Sequence, residues 1–282
     1  MKVRLTIRRF VLKAKEVSMS SAKTLLVGLV VGVGIILSSS GPAGDAFVQS
    51  PKNPPLNSSV SIKAWNSCLV GNPHGNIPVD EFPSNVNPNA VINSRLCNLA
   101  VLKDINAQHR LEGVPPMVLP PNYTNLSPAE QLVLVVNAER ESRNIAPFVG
   151  MTESLDKDAL KAALAGNDPN PSIGDGNWII YNSIWAGGYQ SALLADFDWM
   201  YNDGWGGNLN NTINVDCTSS KSRGCWGHRD AILAIYPPTD GTFIVAGAAM
   251  VTSGVKSLAL PSWAAAFEQV PSDNVRFATV FK

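Results

Sequence analysis

The sequence predicts an α+β fold, with one layered domain over residues 127–282 that follows an irregular extension and an export signal. Three observations support this prediction. Apolar residues at helical spacing occupy 127–202, apolar or alternating runs follow at 243–251 and 275–281, and Pro, Asn and Ser dominate 44–125. Helices followed by paired strands are typical of an α+β domain, and a length of about 155 residues is within what one core supports.

Residues 1–43 have the pattern of a secretion signal peptide. Seven basic residues precede position 25, and the apolar run LLVGLVVGVGIIL follows at 25–37. This run is shorter than the about 20 apolar residues of a transmembrane helix, but it suits the apolar core of a signal. Small residues then offer cleavage after Ala43 or Ala46. An uncleaved membrane anchor is the alternative, and both interpretations predict a secreted or cell-envelope location.

Removal of the signal changes the charge of the chain. Seven of the 22 basic residues and one of the 22 acidic residues leave with it, so 15 basic and 21 acidic residues remain, a net charge of −6. No basic stripe is left to bind phosphates, and nucleic acid is therefore not expected as a partner. No cofactor is predicted either.

All four cysteines follow the signal, and they are Cys68, Cys97, Cys217 and Cys225. Their spacing does not match the CxxC pairs of zinc sites. An even number of cysteines in an oxidising compartment favours disulfides. Of the three possible connectivities we predict the two local ones, 68–97 and 217–225, because they demand the least long-range rearrangement.

Residues 44–126 are the predicted extension. Its proline-rich stretches at 51–55, 87–91 and 114–121 exclude long helices. We expect a mostly irregular segment that the 68–97 disulfide orders locally, with one short helical piece near 96–110. The extension either packs on the domain or serves as a tether.

The domain begins at a helix start signal, Ser127-Pro128-Ala129-Glu130, which is a capping box with proline at the first helical position. The predicted helix ends near residue 144. A second helix is predicted at 155–166, where apolar residues have helical spacing. A strand at 178–182, a third helix at 189–202 and strands at 243–251 and 275–281 complete the predicted elements.

Three segments within 127–282 carry a family pattern. They are VNAER at 136–140 with the helix after it, Trp199 near the end of the third helix, and GHRDAIL at 227–233. In this order, behind a signal peptide, they resemble the CAP superfamily (cysteine-rich secretory proteins, antigen 5 and pathogenesis-related 1), especially its bacterial secreted SCP-like branch. The resemblance implies an α-β-α sandwich. It also implies a central cleft, which in many members carries two His and two acidic residues that can bind a divalent metal.

The sequence departs from that set of cleft residues. His228 retains the signature histidine, whereas Asp168, Ser183 and Asn202 stand where the resemblance places the other three. One imidazole, one carboxylate and two neutral groups are a poor zinc site, so no metal is predicted. These four residues are the candidate ligand-binding residues of the cleft, and none is predicted to be catalytic.

The region between the third helix and the signature suggests further expectations. Asp196, Asp198 and Asp203 lack the spacing of a calcium loop and are predicted to be helix-surface charges. Trp199 is expected in the core, whereas Trp205 and Trp226, which have glycine neighbours, are expected to be more exposed. The insertion at 204–224 is expected to cover one rim of the cleft.

The leading functional interpretation is an exported, non-catalytic CAP-like binding module whose cleft takes a lipid-like, cell-envelope or protein ligand. One alternative is a secreted hydrolase that uses His228, although the chain has no GxSxG elbow and no HExxH motif. Another is a structural envelope protein whose extension matters more than its cleft. A buried acid–base pair beside His228 would favour the enzyme, and an extended, unpacked 44–125 would favour the tether.

Overall fold

The computed structural model describes residues 95–170, 180–205, 214, 216–253 and 261–281, all within one contact unit, Phe47–Lys282. The described helices are α1 Arg95–Glu112, α2 Pro128–Ser142, α3 Glu153–Ala165, α4 Ala192–Tyr201 and α5 Gly227–Ile232, with 3₁₀ turns at Tyr123–Asn125 and Ser272–Asn274. The strands are β1 Gly150–Thr152, β2 Ile180–Gly187, β3 Thr242–Val251, β4 Ser262–Pro271 and β5 Phe277–Val280. The mixed α+β class is confirmed. The predicted signal and residues 44–94 lie outside the described residues.

A mixed sheet of order β2-β4-β3-β1-β5 organises the described residues. β3 and β4 form a long central antiparallel pair, and β2 pairs antiparallel with β4. β1 runs parallel to β3 and antiparallel to β5. A Cβ on Gly247 would lie 2.3 Å from backbone and side-chain atoms of Leu155, so only glycine lets α3 approach the sheet this closely.

Helices pack on both faces of this sheet. Small side chains of β3 and β4 form one cluster with Ala159, Ala162 and Ala163 of α3. Neighbouring residues of β3 point to the opposite face and join a larger cluster that contains the apolar side chains of α2 and α4. Alanine and glycine in the two central strands therefore let helices pack closely against the sheet.

The predicted strands at 243–251 and 275–281 are confirmed, and the strand predicted at 178–182 is observed as β2. Two strands, β1 and β4, were not predicted from the sequence. β4 is alanine-rich and buried along most of its length, so it shows neither polar alternation nor a strong strand composition. β1 is three residues long, which is too short for any periodic signal.

The predicted helix starts are also found. Glu130 N donates to Ser127 Oγ at 3.3 Å and Ser127 N donates to Glu130 Oε2 at 2.9 Å, which is the predicted capping box. α3 ends at Gly166, whose φ of 71° is in the left-handed region. α1 covers the predicted helical piece and is longer, because no proline occurs between residues 95 and 112.

A buried ionic network centred on Glu139 joins α1, α2 and α4. The Glu139 carboxylate is fully buried and accepts hydrogen bonds from His109 Nε2 at 2.9 Å, Arg143 Nη1 at 2.5 Å and Tyr201 Oη at 2.9 Å. Burial opposes its ionisation, but the His109 hydrogen bond and the Arg143 charge lower the pKa of Glu139 to about 2. The carboxylate is therefore ionised at neutral pH.

Glu112, the last residue of α1, extends this network to α5. Its Oε2 accepts from Arg143 Nη2 and from Arg229 Nη2, each at 2.9 Å. The described end of the predicted extension thus packs on the domain through buried charge pairs. This contact does not fit a free tether for that part of the extension.

Arg140 holds the end of α5 and the chain after it in place. Its buried guanidinium donates to the carbonyls of Ala146, Ile232 and Ala234 at 2.7–2.9 Å and lies 4.4 Å from the ring centroid of Phe148. Burial lowers the pKa of Arg140 to about 10, so the group remains a cation at neutral pH. The loop after α5 is bound to α2 by this side chain.

The prediction of surface aspartates is wrong. Asp196, Asp198 and Asp203 are 0%, 8% and 3% exposed, respectively. Asp196 and Asp198 lie in α4, all ten residues of which are buried, so this helix has no solvent face. Asp203 lies beyond the end of α4 and is buried where it bonds His228. Burial and the charge of Glu139 raise the pKa of Asp196 well above its usual range, so the fold favours its protonated form.

Of the predictions for the tryptophans, the one for Trp199 is confirmed and the one for Trp226 is wrong. Trp199 is in the core as predicted, and its indole donates to Trp185 O at 3.0 Å. Trp226 is only 7% exposed, so the prediction of exposure is wrong. Its ring lies over Gly204, where a Cβ would come within 2.2 Å of the indole. Trp205 is half-buried.

The predicted disulfide between Cys217 and Cys225 is confirmed. Cys97 is also disulfide-bonded, while its predicted partner Cys68 lies outside the described residues. Among the described helices, none combines the length and the apolar character that a membrane span requires.

Glu139→Gln tests the network. We expect a loss of about 3–5 kcal/mol in the free energy of unfolding, since the substitution breaks a buried charge pair and leaves Arg143 with Glu112 alone as its counter-charge. Urea titration followed by circular dichroism measures it.

Asp196→Asn is the contrasting variant, because native Asp196 holds a proton that unfolding releases above about pH 4. Its stability relative to wild type should rise with pH from there, and a flat difference would contradict the raised native pKa of Asp196.

Peptide mapping of the purified protein under non-reducing conditions tests the cysteine pairing. We expect one linked peptide pair containing Cys217 and Cys225 and a second that joins Cys97 to Cys68. Recovery of a 97–217 linkage would contradict the predicted local pairing.

Candidate functional site

His228 lies in the first turn of α5 and is oriented by Asp203. The Asp203 carboxylate accepts from the backbone N–H of His228 at 3.0 Å and contacts ring Nδ1 at 2.7 Å. Because a carboxylate only accepts, Nδ1 carries the proton of this hydrogen bond. One buried acidic side chain therefore caps the helix, fixes the ring orientation and leaves Nε2 on the other side of the ring.

The backbone around this pair is held by a disulfide-closed loop. Trp226 precedes the helix with a φ of 67°, in the left-handed region, and its N–H donates to Asp203 O at 3.2 Å. Asn214 Nδ2 donates to Asp203 O at 3.4 Å and to Gly224 O at 2.6 Å. Residues 206–213 and 215 of the insertion that was expected to cover the cleft rim lie outside the described residues.

Asp168 lies on the open side of the ring. Its Oδ1 is 3.9 Å from His228 Nε2, which is beyond hydrogen-bond range but close enough for one bridging group. The Asp168 side chain is half exposed, whereas that of His228 is 19% exposed. Asp168 also accepts a hydrogen bond from the backbone of Trp185 in β2, which ties it to the sheet.

Three aspartates determine the charge of His228. Burial lowers the pKa of the ring, but the Asp203 hydrogen bond and the charges of Asp203, Asp168 and Asp198 raise it, and the net shift is above 6.5. Burial raises the pKa of Asp198 to about 7, even though Tyr189 and Asn202 donate hydrogen bonds to it. The ring is therefore an imidazolium over a wider pH range than a free histidine.

Of the four candidate cleft residues, the structure brings His228 and Asp168 close together. Ser183 is half-buried on β2 and its side chain is hydrogen-bonded to Tyr181. Asn202 follows α4 and its side chain bonds Asp198. Neither is among the hydrogen-bond partners recorded for His228.

Asp203, the strongest partner of His228, was missed from the sequence. The resemblance to the CAP pattern Trp-x-x-Glu places the acidic residue at Asn202, three residues after Trp199. The observed acid is one residue further, beyond the end of α4. An aspartate followed by Gly204, immediately after a helix that ends early, was the available signal.

The arrangement supplies a fixed donor and a nearby acceptor rather than a nucleophile. In the described residues, His228 has no recorded hydrogen bond to a Ser, Thr or Cys side chain. No group of three or more His, Cys, Asp or Glu in that part of the chain could hold a metal ion.

Comparisons with protein-family models, with curated proteins and with solved structures find no match for this chain.

The Asp203–His228 pair makes a prediction that NMR can test. The imidazole signals that disappear in His228→Gln should titrate above pH 6.5 in the wild-type protein. Asp203→Asn should lower that midpoint, because it removes the adjacent charge and keeps an acceptor. The native pKa is raised, so the stability that Asp203 contributes should be fully present below about pH 6.5 and lost as pH rises through the native value. Asp240→Asn, an exposed carboxyl away from the ring, is the control, and an equal shift there would contradict the assignment.

Proposed function

We propose that this protein is an exported, non-catalytic binding module of CAP-like fold, whose cleft beside His228 holds a ligand of the cell envelope. The order of the sequence segments, the helices on both faces of the sheet and the position of His228 at the start of α5 support this proposal. The secretion signal and the disulfides support an extracytoplasmic location.

The observation that carries the proposal is the pair formed by His228 Nε2 and Asp168 Oδ1. A protonated Nε2 donates and a carboxylate accepts, and the two atoms lie 3.9 Å apart at an open side of the ring. A ligand hydroxyl or amide can bond both groups at once, because it contains an acceptor and a donor. Glycan hydroxyls and peptide or acetamido groups have this property.

The surrounding charge narrows the ligand class further. Asp168 and Asp203 flank the ring and Asp198 lies behind it, so negative charge outweighs the single imidazolium. A ligand that presents a carboxylate or phosphate to this point would be repelled. We therefore favour a neutral, hydroxyl- or amide-bearing envelope polymer over a free fatty acid or an anionic headgroup.

A secreted hydrolase is the second candidate. Asp203 orients Nδ1 as it would in a catalytic dyad, which leaves Nε2 free to act as a general base on a water. The raised pKa works against this role, because it widens the pH range over which the ring is an imidazolium, which has no lone pair to accept a proton.

Binding to purified peptidoglycan distinguishes the two candidates. In co-sedimentation of the secreted protein with insoluble sacculi, we expect His228→Ala to weaken binding about tenfold or more and Asp168→Asn to weaken it several-fold. Each substitution removes or weakens one of the two hydrogen bonds. Binding should also weaken as pH rises through the His228 pKa, since the Nε2 proton is then lost.

Asp240→Asn is the matched control and should bind as wild type. Equal binding by His228→Ala and wild type would contradict the proposed site. Release of soluble fragments from the sacculi that stops in His228→Ala would favour the hydrolase instead.

A further inference from the structure

A second concave surface lies where β1 stops short of its neighbour β3. A cavity of about 430 Å³ opens there between the first turn of α2, the first half of α3 and the ends of β1, β3 and β5. Its floor is apolar and includes Met151, Met250 and Leu160, of which Leu160 is 44% exposed. None of its lining residues belongs to the His228 site.

The backbone of β3 is open at this cavity. β1 contacts β3 around the Met151–Ala246 pair and ends at residue 152, whereas β3 continues to residue 251. Ala248 N, which a longer β1 would bond, donates instead to Asp156 Oδ1 at 3.1 Å. Because hydrogen-bonding directions alternate along an antiparallel pair, the N–H of Met250 points away from β4, as that of Ala248 does.

The side chain of Asp156 thus takes the place of part of a neighbouring strand along β3. Asp156 occupies one acceptor position along the open edge. Beyond it, no described residue is recorded as a partner of the outward N–H of Met250 or of the outward carbonyl of Ala248. An extended chain in this cavity would supply one carbonyl and one N–H to these two groups.

The charge of the cavity is negative. Glu130 lies at one wall and Asp156 at the other. Burial and the charge of Glu130 raise the pKa of Asp156, which a cationic partner between the two carboxyl groups would offset. Hydrogen bonds from Ser127 keep the pKa of Glu130 below its usual range, so this carboxylate is ionised at neutral pH. No Lys or Arg is among the lining residues, and a cationic side chain that entered between the two carboxylates would find no cation to repel it.

We propose that this cavity binds an extended, basic peptide segment of a partner protein as an added strand beside the end of β3, with a Lys or Arg side chain between Glu130 and Asp156. The backbone edge supplies orientation, the carboxylates select charge, and the apolar floor accepts a small or aliphatic neighbouring side chain. This site does not depend on the proposed envelope-binding cleft.

Fluorescence anisotropy with a labelled, capped hexapeptide of alternating Val and Lys tests the proposal. We expect saturable binding that weakens at least tenfold when Glu replaces Lys in the peptide, because the carboxylates then repel it. Methylation of the peptide backbone amides should also weaken binding about tenfold or more, because it removes the strand hydrogen bonds. Equal binding of the acidic or the methylated peptide, or no binding of the basic one at millimolar concentration, would overturn the proposal.

Two isosteric variants test the protein side. Glu130→Gln and Asp156→Asn keep their local acceptor roles towards Ser127 and Ala248, so both should fold, as circular dichroism would verify. Each of these two substitutions should weaken peptide binding several-fold, whereas His228→Ala should leave it unchanged. If His228→Ala lost peptide binding and the other two variants did not, the proposal would be overturned and the peptide would be assigned to the cleft beside His228. Concentration-dependent self-association that the peptide does not reverse would identify a second copy of the chain as the occupant and also overturn it.

Discussion

The buried carboxylate of Glu139 is the constraint on which the described arrangement of helices depends. It lies inside α2, is fully buried, and is bound by groups from α1, α4 and the end of α2. A buried charge of this kind is costly unless every partner is in place. The helices cannot shift independently without leaving an ion unpaired, so the network specifies one relative position for them more than it adds net stability.

This constraint extends to the His228 site through α5. Arg229 follows His228 directly, is fully buried, and donates to Glu112 and to Met200 O. Arg140 binds the carbonyls after α5 in the same way. Arg229 therefore holds the first part of α5, Arg140 holds its end, and Asp203 holds the His228 ring. The result is a histidine ring that is only 19% exposed and has a fixed orientation.

The wholly buried α4 explains why acidic residues are so influential here. Its environment raises the pKa of Asp196 well above the usual range and that of Asp198 to about 7, whereas the pKa of Glu139, nearby, is lowered because it bonds His109 and Arg143. Neighbouring carboxyl groups thus differ widely in pKa. The local partner, rather than the residue type, determines the charge of each group.

Local signals in the sequence determined much of the fold. The capping box at Ser127, the helix at 153–165 and the strand at 242–251 were predictable because caps, helical spacing and flanking turns act over a few residues. The local disulfide between Cys217 and Cys225 was predictable for the same reason. The resemblance to the CAP pattern pointed to His228 and Asp168, and the structure places these two side chains 3.9 Å apart.

Only the tertiary structure decided the rest. β4 had no signal because burial on both faces removes polar alternation, and the partners of Glu139 come from positions 30 residues before and 62 residues after it. Asp203 was passed over because helix α4 ends at residue 201, and which acid then reaches the ring depends on the turn that follows. Asp196 was predicted from the sequence to be a surface charge, because composition cannot reveal that all sides of its helix are covered. Spacing along the chain predicts local hydrogen bonds, but burial and long-range charge pairing arise only when distant segments meet.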